Sequence, residues 1–146
     1  MAITSAICNS FKVEILTGTH NFTASSGDTF NLALYTDSAT LNKSTTAYSS
    51  SNEITNASGS AYSAKGNALT SVTPVLSTDT AVCDFANSSW SSASFTARGC
   101  LIFNDTAAGD PAVCAIDFGG NKTVTSGTFT IEFPAASAGT AIIGIA

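Results

Sequence analysis

Apolar and polar positions in this chain alternate over short stretches, and the alternation is clearest from Phe95 to Phe133. Three apolar runs, FTARGCLIFN, AVCAIDFGG and GTFTIEFPA, are separated there by Asn104–Pro111 and by Gly119–Lys122. Both separators carry the glycine, aspartate, asparagine or proline of reversals. Phe129, Ile131 and Phe133 alternate with Thr128, Thr130 and Glu132, so one face of that run is expected to be buried and the other wet. The pattern predicts an antiparallel meander of three strands at the centre of a β-sandwich.

The rest of the chain continues the theme. Phe30, Leu32 and Leu34 share one face of a predicted strand over 30–36. A Ser/Thr-rich loop with a short edge strand at Thr45–Tyr48 is expected next, followed by a single helical turn at Asn52–Ile54 and a long connection, 56–66, that holds Tyr62. Strand pattern resumes over 67–76 with Leu69 and Val72 inward, and Pro74 marks an edge or a bulge. Ser77–Thr80 reads as a turn, Ala81–Phe85 as a strand, and Asn87–Ser94 as a polar loop carrying Trp90. Pro134–Gly139 reads as a turn before a final strand, Thr140–Ile145. Residues 3–16 fit two templates. As a helix, Ile7, Phe11 and Ile15 fall on one face, with Thr4 or Ser5 as N-cap and Gly18 at the stop; as a strand, Phe11, Val13 and Ile15 alternate with Lys12 and Glu14. The combined start and stop signals favour a helix over Ser5–Leu16. The expectation is an all-β fold: one antiparallel β-sandwich or jelly-roll-like domain of seven or eight strands over 1–146, with 1–18 as an N-terminal helix or arm and 28–146 as the sandwich.

Composition sharpens this picture. Of 146 residues, 44% are hydrophobic and 10% charged, too apolar and too weakly charged for disorder. A net charge of −5, with Lys12, Lys43, Lys65, Arg98 and Lys122 scattered singly, argues against a nucleic-acid surface. No apolar run approaches the ~20 residues of a membrane helix and no secretory leader is legible, so synthesis and solubility in a cytosol are expected. Cys8, Cys83, Cys100 and Cys114 lack metal-ligand spacing, and three of them fall in strand-like runs. Buried free thiols are the expected reading, with disulfides second.

Candidate chemistry is sparse. His20 is the sole histidine and sits in no nucleophile motif, so a structural or surface role is expected. Asp84 and Asp117 each precede a phenylalanine and should face away from it; with Glu132 they are the strand carboxylates, read as solvated rather than as an acid–base pair. Asn104, Asp105, Thr106 and Asp110 offer oxygens to a calcium ion without EF-hand spacing, and a turn explains them. Asn-x-Ser/Thr triplets at Asn21, Asn42, Asn56, Asn87, Asn104 and Asn121 follow from the Ser/Thr content. Arg98, the only arginine, lies in an apolar strand and is expected to pair with Asp84, Asp117 or Glu132, or to cross a subunit interface. No catalytic residue, cofactor or metal is expected.

FKVEILTGTHNF at 11–22, DTFNLALYTDSATL at 28–41, Thr45–Tyr48, Asn52-Glu53, Tyr62, FTARG at 95–99, DFGGNKT at 117–123 and FTIEFP at 129–134 together resemble small virion structural proteins of tailed bacteriophages. The resemblance spans nearly the whole chain. It implies a β-rich protein that decorates the capsid, or secondly a tail-associated component, with a helix in the first segment, cysteine positions filled elsewhere by Val or Ala, and no catalytic residue. The expected role is therefore a capsid decoration (cement) protein on the outer surface of the virion, bound to the major capsid protein and to itself as a dimer or trimer, with no nucleic-acid or membrane partner. The interface candidates are Ile7, Phe11, Ile15, Arg98, Ile142, Ile143 and Ile145. A tail or fibre module that binds host surface glycan is the alternative; it needs Trp90, Tyr48 and Tyr62 exposed on loops.

Overall fold

The computed structural model describes residues 2–55 and 57–146. It is an all-β, sandwich-like fold of two antiparallel sheets with one short helix. The eight strands among the described residues are β1 (Ala6–Ile7), β2 (Phe30–Tyr35), β3 (Asn67–Ala68), β4 (Ser71–Ser77), β5 (Thr80–Phe85), β6 (Ser88–Asn104), β7 (Ala112–Ile131) and β8 (Ile143–Ile145); α1 spans Asn9–Leu16. The larger sheet runs β1-β7-β6-β2-β3 and the smaller β4-β5-β8.

The expected three-strand meander is instead one long hairpin. β7 runs unbroken through Gly119-Gly120-Asn121-Lys122, and both of its halves pair with β6. Asp117 opposes Gly99 and Lys122 opposes Ala97, so Phe118–Asn121 lie opposite Arg98 alone. Gly119, at φ 81°, lets the extra residues be taken up in an irregular bulge that the strand passes without reversing. The expected polar loop at Asn87–Ser94 is mostly the first half of β6, its serines alternating with inward Trp90 and Ala93.

β2 is buried on both faces. On one, Phe30 stacks on Phe22 with ring centroids 4.2 Å apart and meets Phe85 of β5 at 6.0 Å. On the other, Tyr48 stacks over Phe103 at 4.7 Å. Helix α1 starts four residues later than the predicted Ser5, with Cys8 as N-cap. Ala6 and Ile7 are drawn into register with Ala115 and Cys114 of β7, and Thr4 N–H donates to the Leu41 carbonyl, so Ile7 sits on β1 and not on the helix. Gly18, at φ 77°, follows the last turn as predicted. Asn52–Ile54 is not helical: Glu53 bridges Tyr35, and Ile54 N–H donates to the Leu34 carbonyl. The edge strand expected at Thr45–Tyr48 reduces to one bridge, Ala47 to Pro111. Leu69 is buried as expected but Val72 is exposed; register shifts between Val72 and Val75, as Pro74 demands.

Candidate functional site

The N-terminal segment and the final strand meet at the side of the molecule. Phe11 and Ile143 are buried, Ile7 and Ile15 half-buried, and Leu16 and Ile145 project to 88% and 55% exposure. Together with Lys12 and Gly144 they line an apolar groove of about 300 Å³. Among the described residues β8 pairs only with β5, so its outer edge borders this groove with no strand beside it. Five of the predicted interface residues, Ile7, Phe11, Ile15, Ile143 and Ile145, thus converge. Phe11 and Ile143 form the floor and contribute to the core. Ile142 is half-buried and lines a neighbouring depression with Phe118, Ile131 and Phe133.

Arg98 lies elsewhere. Its guanidinium grips Asp117 through Nε–Oδ1 at 2.7 Å and Nη2–Oδ2 at 3.3 Å, the intrachain pairing expected from sequence. This contact, followed by the Gly119 N–H, holds the Asp117 carboxyl below its ordinary range. The same pair raises the arginine.

His20 is buried and structural. Its Nε2 meets Glu14 Oε1 at 3.2 Å and its Nδ1 meets Asn104 Nδ2 at 3.1 Å. Because Nδ2 can only donate, Nδ1 accepts and the ring proton lies on Nε2, facing the carboxylate. Asn104 donates also to Asp28 Oδ2 at 2.8 Å, and its own Oδ1 accepts from the N–H groups of Thr106 and Ala107. The 104–110 segment is therefore a side-chain-tied turn. Its carboxylates Asp105 and Asp110 both meet Lys65 Nζ, each at 2.8 Å.

A second cluster escaped sequence reasoning. Glu53 is buried, accepting from the Tyr48 and Tyr62 hydroxyls at 2.6 Å each and from the Lys65 N–H at 2.7 Å. The Tyr62 hydroxyl oxygen accepts in turn from Leu34 N–H at 2.9 Å. Burial, then the bond to Glu53, pushes the Tyr48 hydroxyl up to about 12, and the same causes push Tyr62 higher. Lys65 Nζ lies 5.7 Å from the Tyr48 ring centroid. The arrangement is a clamp that fastens the long 37–66 connection onto β2 through a central carboxylate. The only sequence signal was the spacing of two tyrosines around one acid.

The aromatics required for glycan stacking turn inward: Tyr62 and Trp90 are fully or nearly buried, with ring centroids 6.0 Å apart, and Tyr48 is half-covered by its clamp. All four cysteines are free thiols, Cys8, Cys100 and Cys114 buried and Cys83 half-buried. Burial raises Cys8 and Cys83 to about 11 and Cys114 to about 12. Among the described residues, no three His, Cys, Asp or Glu side chains are placed to hold a metal ion, and no helix is long and apolar enough to cross a membrane. The triplet at Asn56 lies outside the described residues. Comparison with family models, with curated proteins and with solved structures returns no significant match to this chain.

Proposed function

We propose that this chain is a virion structural protein of a tailed bacteriophage: a capsid decoration protein, made in the host cytoplasm, that sits on the outer surface of the head. In this role it binds the major capsid protein across capsomer boundaries and associates with copies of itself. The resemblance of its motifs to those of small phage virion proteins supports the reading, as does the all-β fold. The observation that carries it is the pair of edges on the smaller sheet, with which no further strand pairs among the described residues. Leu76 of β4 is 71% exposed, and Ile145 of β8, next to Leu16, is 55% exposed. Meanwhile the one histidine, the one arginine and the buried Glu53 are all occupied in holding the fold. Apolar edges gain free energy when covered, and a specific contact needs about 800 Å² per partner. Cementing then follows from mass action: a protein that binds only the intact shell shifts its melting upward. The net charge of −5 suits the exterior better than contact with packaged DNA.

Particles with and without this protein should be heated while genome release is followed by dye fluorescence. The proposal predicts earlier release without it, and restoration when purified protein is added back. Identical release curves would remove the cementing role.

A further inference from the structure

The exposed large apolar side chains among the described residues are Val13, Leu16, Val72, Val75, Leu76 and Ile145. They form two sets. Val72, Val75 and Leu76 lie on β4, one edge of the smaller sheet; Val13 and Leu16 on α1 and Ile145 on β8 flank the other. We propose that copies of this chain associate head to tail, β4 of one copy lying along β8 of the next, with Leu76 entering the groove beside α1.

Register supports this occupant. Leu76 opposes Ala81 and Ala81 opposes Ile145, so all three stand on one face of the sheet. If the sheet continues in the same sense into a second copy, the incoming Leu76 falls on the face of Ile143 and Ile145, where the groove lies. Lengths agree too. Past the bulge at Pro74, β4 offers Val75–Ser77, three residues against the three of β8. Proline and the bulge block the earlier half of β4, which confines pairing to that stretch.

Charge adds direction. Lys12 is the only charged residue lining the groove, and Asp79 is the only charged residue in the β4–β5 turn. A copy carrying net −5 gains at the contact by setting that aspartate toward that lysine. Because the two surfaces differ and lie at opposite edges, the contact is heterologous. It closes into a ring when the rotation per copy permits, and otherwise extends. This assembly specifies the self-association named above and needs no capsid; where it extends without closing, the two end copies each keep one of these edges free for the shell.

The test is sedimentation velocity of the purified chain, wild type and variants, with circular dichroism to confirm folding. Wild type should form oligomers whose share grows with concentration. Leu16→Asp and Leu76→Asp should each weaken association about tenfold or more, the scale of losing one buried apolar side chain. Mixed together they should form dimers, since the first retains a sound β4 and the second a sound groove. Lys12→Glu and Asp79→Lys should each weaken association by about two- to fivefold at low salt, and the double swap should regain most of it. These four side chains are on the surface, so folding should survive. A wild type that remains monomeric, or a mixture that stays monomeric while wild type assembles, overturns the proposal. Capsid binding, measured separately by co-sedimentation with bare heads, tests the decoration role independently of either outcome.

Discussion

Glu53 is the side chain on which the 37–66 connection depends most. Three donors converge on its carboxylate, and two of them, the Tyr62 hydroxyl and the Lys65 N–H, have no evident substitute partner. Replacing it by alanine strands buried polar groups, each costing about 1–3 kcal/mol. We expect Glu53→Ala to destabilise by about 3 kcal/mol and to lower the melting temperature by several degrees, read by urea and thermal unfolding. A loss below about 0.5 kcal/mol would show that water replaces the carboxylate freely. Buried thiols and phenols make a second prediction. Their folded-state pKa values lie above the ordinary 9.0 of cysteine and 10.0 of tyrosine: about 11 for Cys8 and Cys83, about 12 for Cys114 and Tyr48. The unfolded chain then loses protons first as pH rises. This stabilising contribution is complete below about pH 9 and disappears between there and about pH 12. Urea midpoints should therefore hold steady from about pH 7 to 8.5 and fall at about pH 10 to 11. A midpoint that is flat or rises would contradict the burial of these groups.

At the scale of elements, the strands dense in β-branched and aromatic residues were legible: β2, β5 and the apolar halves of β6 and β7 fall where alternation placed them. Gly119-Gly120 was misread because glycine permits both a reversal and a bulge, and only the partner strand decides between them. β6 decides here, since its serine-rich first half continues the ladder to Ile131. That half was itself illegible, because small polar residues carry little strand signal until a neighbour pairs with them. The start of α1 failed for the same reason: pairing of Ala6-Ile7 with β7 outweighs a weak helix signal. The groove residues were named from their apolar character, yet their meeting was not legible, since it depends on where β8 docks. The Glu53 clamp joins residues up to 12 apart in sequence through one carboxylate, which no periodicity reports. Close packing across the hairpin gives a further prediction. A methyl group added at Gly99 would lie 2.5 Å from the Ile116 carbonyl oxygen and 2.8 Å from Ile3 Cδ1. Gly99→Ala should cost about 1–3 kcal/mol by overpacking, measured by denaturant unfolding. Gly120→Ala meets nothing within 4 Å and should be near neutral.

The described residues combine a buried interior with a smaller sheet whose edges, β4 and β8, pair with no further strand. Trp90 reports on the interior: it is 4% exposed and ringed by Tyr62, Phe95 and Phe129 at 6.0–6.3 Å. Its emission should lie well to the blue of free tryptophan and move red in a single step with the loss of circular dichroism. Two separated steps would show that the outer half of the β6–β7 hairpin melts by itself. The proposed decoration role draws on those edges. A cryo-electron microscopy map of the virion tests it most directly. The account predicts density fitting this two-sheet fold on the outside of the head, seated over capsomer junctions. Density for the chain confined to the tail, or none in the particle, would contradict it.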